Sequence, residues 1–125
     1  MTGIIIADLL TKSEPLLALV PESSIFPYVA DENTPLPLII YTIDTVVPEY
    51  SKDGWIGDMV GFSVMSFSED YAILQAIVLE VREALELEYD AKSQRIILTG
   101  QQEVYNINED VFMNRQSFSV LINKK

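Results

Sequence analysis

Residues 66–86 read SFSEDYAILQAIVLEVREALE, and the fold turns on this stretch. Ile73, Leu74, Ile77, Val78, Val81 and Leu85 fall on one arc at 3.6-residue spacing, with Gln75, Arg82, Glu83 and Glu86 opposite. Ser66-Phe67-Ser68-Glu69 has the S-x-x-E form of a capping box, and Glu69 and Asp70 place negative charge at the positive, N-terminal end of a helix. The spacing therefore predicts a long amphipathic helix that ends near Glu88 to Asp90 and buries its apolar arc. Leu79, with Ala72 and Ala76, lies on the otherwise polar side, which makes Leu79 a candidate contact residue.

Upstream of the helix, Val60, Phe62 and Val64 alternate with Gly61, Ser63 and Met65 at period two, the signature of a strand. Leu38 to Val47 is rich in β-branched and aromatic residues that suit a pleated, half-buried surface. Between them Pro48 to Gly57 reads as a polar, glycine-containing loop, so the two strands form a long-looped hairpin. Downstream, Arg95 to Tyr105 and Phe112 to Asn123 read as two more strands joined by a turn at Asn106 to Asp110.

The N-terminal portion carries helix-start chemistry twice: Thr2 before Ile4 to Leu10, and Ser13-Glu14-Pro15 before Leu16 to Val20. One broken helix or two short ones should result. Pro21, Pro27, Pro35 and Pro37 then leave room for a short extended piece near Ser24 to Val29 and a polar turn at Asp31 to Thr34. Strand pairs separated by one long helix define an α+β fold: an antiparallel sheet of about four strands, with the long helix and the N-terminal helical segment packed on one face. A length of 125 residues fits a single domain over residues 1–125.

Composition narrows the function. The chain is 49% hydrophobic and 22% charged, an ordinary globular balance, and its net charge of −11 disfavours a nucleic-acid-binding basic patch. With no histidine and no cysteine it cannot supply a Ser-His-Asp or Cys-His pair, a thiolate zinc site or a disulfide. The lack of cysteine does not decide the compartment. No apolar run approaches the roughly 18 residues that span a bilayer, and the apolar start at Gly3 to Ala7 lacks the basic flank of a signal peptide.

Motif-like fragments dissolve on inspection. Asn106-Ile107-Asn108-Glu109-Asp110 is superficially like a calcium loop, but Val111 stands where the turn glycine belongs and Ser117 where the closing glutamate belongs. Gly54-Trp55-Ile56-Gly57 has the bare GxxG spacing of a KH loop without its basic flanks. Gly61-Phe62-Ser63-Val64-Met65 lacks the last glycine of a nucleophile elbow and any histidine to activate Ser63. Nineteen acids offer many accidental carboxylate pairs, so none singles itself out as a glycosidase-like acid and base. The reading is of a non-enzymatic chain with no cofactor and no metal. Candidate interface residues are Tyr50, Asp53, Gly54, Trp55 and Ile56 in the Tyr50 to Asp58 loop, together with Leu79. Large aromatics on a polar connection anchor partners, and a loop tryptophan equally folds back over its own core.

The arrangement resembles the phage and prophage tail-completion proteins, relatives of the tail terminators that join a tail to its head. The matching features are Ile25-Phe26-Pro27, the lead-in from Pro35 through Tyr41 to a strand, Asp53-Gly54, and Val60 to Ser66 running into Tyr71-Ala72-Ile73-Leu74 and Val81-Arg82-Glu83-Ala84-Leu85. The final strand, Asn114 to Ile122, fits as well, so the resemblance covers nearly the whole chain through order and spacing. It implies a homo-oligomeric ring, commonly of six copies, in the virion tail after synthesis in the bacterial host cytoplasm. Its implied partners are other copies of itself, the tail tube protein and the head connector or stopper protein, with the strand-strand loop projecting to meet them. The sequence departs from many relatives in its first 70 residues, where two basic and eleven acidic residues give −9. The competing reading is a stand-alone cytoplasmic protein-binding adaptor module that offers the Tyr50 to Asp58 loop to one partner.

Overall fold

In the computed structural model, which describes residues 2–31, 33–86 and 96–123, a five-stranded sheet carries three helices. Helices α1 (Thr2–Thr11) and α2 (Glu14–Leu19) form the two short N-terminal pieces. Ser13 separates them because its Oγ accepts the Leu16 N–H at 3.3 Å, satisfying a donor that the first turn leaves open, and Pro15 sits where a proline needs no N–H. A 3₁₀ turn over Glu22–Ser24 leads into β1 (Ile25–Pro27). Strands β2 (Leu38–Ser51) and β3 (Gly54–Ser68) form a long hairpin, α3 (Tyr71–Glu86) comes next, and β4 (Ile96–Asn106) and β5 (Val111–Asn123) form a second hairpin. Among the described residues, no helix is long and apolar enough to cross a membrane.

The α+β class holds, with two differences in the sheet. Its order is β1-β2-β3-β5-β4, five strands and not about four, and β1 runs parallel to β2 through Ile25–Ile39, Phe26–Ile40 and Pro27–Tyr41. The other three pairings are antiparallel. β1 falls inside the short extended piece expected near Ser24 to Val29, and at three residues it is too short for a period-two pattern to mark it as a strand of the sheet.

Alternation along the strands sets the core. Val60, Phe62 and Val64 of β3, Phe118 and Val120 of β5, and Ile39 and Tyr41 of β2 are buried with Ile77, Val81 and Leu85 of α3 and Ile6, Leu10, Leu16 and Val20 of the N-terminal segment. Phe62 and Phe118 are cross-strand partners, and their rings stack with centroids 5.3 Å apart. The arc read from the sequence is buried at Leu74, Ile77, Val78, Val81 and Leu85, but Ile73 is exposed at its margin. The predicted helix end near Glu88 to Asp90 and the predicted strand start at Arg95 lie outside the described residues.

The helix cap also differs. Asp70, not Ser66, caps α3: its Oδ1 accepts the N–H groups of Ala72 at 2.9 Å and Ile73 at 3.2 Å, and Ser68 Oγ accepts the Asp70 N–H at 3.1 Å. Ser66 is still inside β3, paired with Asn114 of β5, because the strand runs two residues further than the capping box allows. Under α3 the sheet turns polar, with Ser66, Asn114 and Gln116 buried, and Gln116 Nε2 donates to the Val78 carbonyl at 3.2 Å.

The largest departure is the β2–β3 connection. Pro48 to Gly57, read as a loop, is almost entirely strand, and the turn is only Lys52 and Asp53. A proline is compatible with β2 because β1 covers it only as far as Tyr41, leaving this part of β2 as a sheet edge. Gly54 adopts φ +117, a conformation that a side chain disfavours, and lets the chain reverse at once. Register shifts occur at Glu49/Tyr50 and at Ile43/Thr45, where Asp44 is the extra residue.

Candidate interaction surface

The two hairpins point to opposite ends of the sheet: Lys52-Asp53 lies at one end, and the Asn106–Val111 closure lies near the start of α3 at the other. At the first end β2 and β3 form an arm. Tyr50 and Trp55 are register partners and so share one face of it, 68% and 43% exposed. The Trp55 indole N–H donates to Asp58 Oδ1 at 2.9 Å, which lays the ring along the arm rather than over the core. Ile56 and Val46 are exposed as well. Asp53 and Gly54 shape the turn, where the Asp53 N–H donates to Ser51 Oγ at 3.2 Å. These five candidates are therefore brought together, on strands and a tight turn rather than on a loop. Leu79, 54% exposed, stands apart on α3, whose main packing neighbours are β3, β5, β4, α1 and α2.

Three further features have no signal in the sequence reading. On the sheet face opposite the core, Val47, Met59 and Leu121 form one cross-strand row, with Ile97 beside it, and all four are exposed. Next on the same face is a polar centre. The Asp44 bulge brings its carboxylate to the Ser63 hydroxyl, which donates to it, and to Arg115 at 3.4 Å, while Arg115 Nε donates to Ser63 Oγ at 3.2 Å. Ser63 is thus committed to an ion-pair network in mid-strand. Gly61 packs closely beside the bulge: a Cβ there would come within 2.6 Å of Thr45 Oγ1, so the Thr45 side chain would have to shift.

The third feature is a cup at the opposite end, a depression of about 210 Å³ lined by Tyr71, Leu74, Glu103, Val104, Tyr105, Phe112 and Met113. The Phe112 ring lies 5.2 Å from that of Tyr71 and 4.7 Å from that of Tyr105. Glu103 accepts from Gln75 at 2.6 Å, Asn114 at 2.8 Å and Tyr71 at 3.0 Å. Hydrogen bonds from Gln75, then Asn114, hold its carboxyl below the ordinary glutamate value. The reciprocal bond to Glu103 pushes the Tyr71 phenol up, and the bond to Asp110 Oδ1, 2.5 Å, does the same for Tyr105. The Asn106 to Asp110 segment is a turn: Asn106 Oδ1 accepts the N–H groups of Asn108 and Glu109. Among the described residues no group of three acids is arranged to hold a metal ion.

No protein-family profile matches the sequence, and no curated protein matches it. Solved structures do match in fold. One is a chain of the virion of a native gene transfer agent particle, with a TM-score of 0.76 over 94% of this chain and 91% of that one, at 16% sequence identity. The two chains share a fold. The likeness takes in nearly all of both.

Proposed function

We propose that this chain is a structural subunit of a phage-like particle, and within it a tail-completion subunit that forms a ring, caps the tail tube and joins it to the head connector or stopper. The observation that carries the reading is the near end-to-end likeness in fold to a chain of a gene transfer agent virion. The sequence resemblance, which rests on the order and spacing of the same strands and helix, points the same way. The chain acts here without catalysis or cofactor, through surfaces.

The arm and the open sheet face are suited to that work. Tyr50, Trp55 and Ile56 on one element, and the row of Val47, Met59, Leu121 and Ile97, expose more clustered apolar surface than scattered single residues would. Tyrosine and tryptophan are enriched among the few residues that carry most of the energy of an interface. A cyclic ring needs two different, complementary surfaces on each copy, and a projecting arm with a body to receive it provides such a pair. The test is deletion of the gene and restoration with a plasmid copy. The reading expects heads and tails that accumulate unjoined and are joined again on restoration; fully joined particles without the gene would overturn it.

A further inference from the structure

We propose that the cup between the start of α3 and the β4–β5 hairpin is a docking site for an arginine side chain of a protein partner. Its lining combines the two groups that a guanidinium seeks. Tyr71 and Tyr105 flank Phe112 and stay 48% and 45% exposed, which leaves aromatic surface open to a cation, and an aromatic ring attracts a cation through its quadrupole. Glu103 supplies the countercharge. Its Oε2 already accepts from Gln75 and Asn114, whereas among the described residues Oε1 accepts from Tyr71 alone and keeps one lone pair for an incoming N–H. Asp110 is outside the lining but is held beside the cup, where its Oδ1 accepts from the Tyr105 hydroxyl, and it adds a second carboxylate there.

Charge at this end favours a basic visitor. Glu69 and Asp70 precede α3, and Glu109 and Asp110 lie in the adjoining turn. None of the described basic residues, Lys12, Lys52, Arg82 and Arg115, lines the cup, and the last two are paired with Glu86 and Asp44. The cup is also built in advance: the hydrogen bonds that hold Glu103 fix its carboxylate, so little ordering remains to be done on binding. Arginine fits better than lysine because a planar guanidinium stacks on a ring while its edge donates to a carboxylate.

The experiment titrates the isotope-labelled chain with N-acetyl-arginine amide, tracking backbone and aromatic resonances. The expected result is saturable shifts centred on Tyr71, Glu103, Tyr105 and Phe112, with N-acetyl-citrulline amide, equal in size but uncharged, binding about tenfold more weakly. Asp110→Asn should weaken arginine binding about threefold without disturbing the turn, since asparagine tolerates the φ of +55 found there. Glu103→Gln, with native spectral dispersion as the check on folding, should weaken it further. Equal binding of the citrulline compound, unchanged affinity in Asp110→Asn, or shifts spread over other acidic surfaces without saturation would each overturn the proposal. The measurement uses the chain alone, so its failure leaves the tail-completion reading untouched.

Discussion

Truncating Ile77 to alanine tests the setting of α3 on the sheet, because Leu79, two residues away, supplies a built-in control. Ile77 is fully buried in the cluster that holds Val64, Phe62 and Phe118, whereas Leu79 is 54% exposed on the other side of the same helix. Ile77→Ala loses the transfer free energy of the removed methyl and methylene groups and leaves a cavity, together about 3 to 4 kcal/mol at a site walled by both helix and sheet. Leu79→Ala should change stability by less than about 0.5 kcal/mol. For a chain of 125 residues the total is of order 6 to 19 kcal/mol, so the first loss is a large share of it. It should lower the thermal midpoint by about 10 to 15 °C, and Leu79→Ala by about 2 °C at most. Urea unfolding at low protein concentration, monitored by circular dichroism, measures both; slopes should match the parent, showing that the denatured states are alike. Ile77→Asp should cost more still, by burying an unpaired carboxylate. Equal losses for the two alanine variants, or a larger one for Leu79→Ala, would refute this placement of the helix.

Replacing both Tyr50 and Trp55 with serine should leave the folded monomer within about 1 kcal/mol of the parent, the scale of one cross-strand pair, while abolishing ring assembly as read by sedimentation. Gly54→Ala forces a side chain into φ +117 and should cost about 1 to 3 kcal/mol in equilibrium unfolding, whereas Gly3→Ala, with open space and no such constraint, should not. Glu103 has its carboxyl pKa lowered in the fold, so its contribution to stability is present above the unfolded value and is lost as pH falls through the folded one. Unfolding midpoints across the acidic range should therefore fall less steeply in Glu103→Gln than in the parent.

Legibility tracks pattern length and burial. The α3 arc is readable because six apolar residues recur over more than three turns, and burial on one side only makes the period visible. Ser13 is readable as a cap because a proline and an apolar run come directly after it. The arm is not, because Val46 to Ser51 and Gly54 to Ile56 are exposed and so lack the alternation that burial imposes, while Pro48, Gly54 and Gly57 imitate a loop. The capping box at Ser66 misleads because Ser68 and Asp70 offer competing oxygens two and four residues on, and strand pairing with Asn114 holds Ser66 in the sheet. Tyr50, Trp55 and Ile56 group together through proximity in sequence, although the element carrying them is a hairpin arm. The cup has no such signal. Tyr71, Glu103 and Phe112 meet only through the tertiary fold, and the one local trace is Glu103 and Tyr105 at strand spacing on one face.

With −11 on every copy, like charges oppose the closure of a ring, and salt that shortens the Debye length from about 30 Å at 0.01 M to about 8 Å at 0.15 M should favour assembly. Assembly in solution is one step removed from a place in a particle. Electron cryomicroscopy of particles purified from cells carrying the gene reads that place without an intermediary. A tail-completion subunit should be seen as a ring of copies of this chain at the junction between tail tube and head connector, with the Tyr50 to Asp58 arm in contact with a neighbouring subunit or the tube. Finished particles that lack the chain, or that hold it anywhere other than that junction, would contradict the assignment.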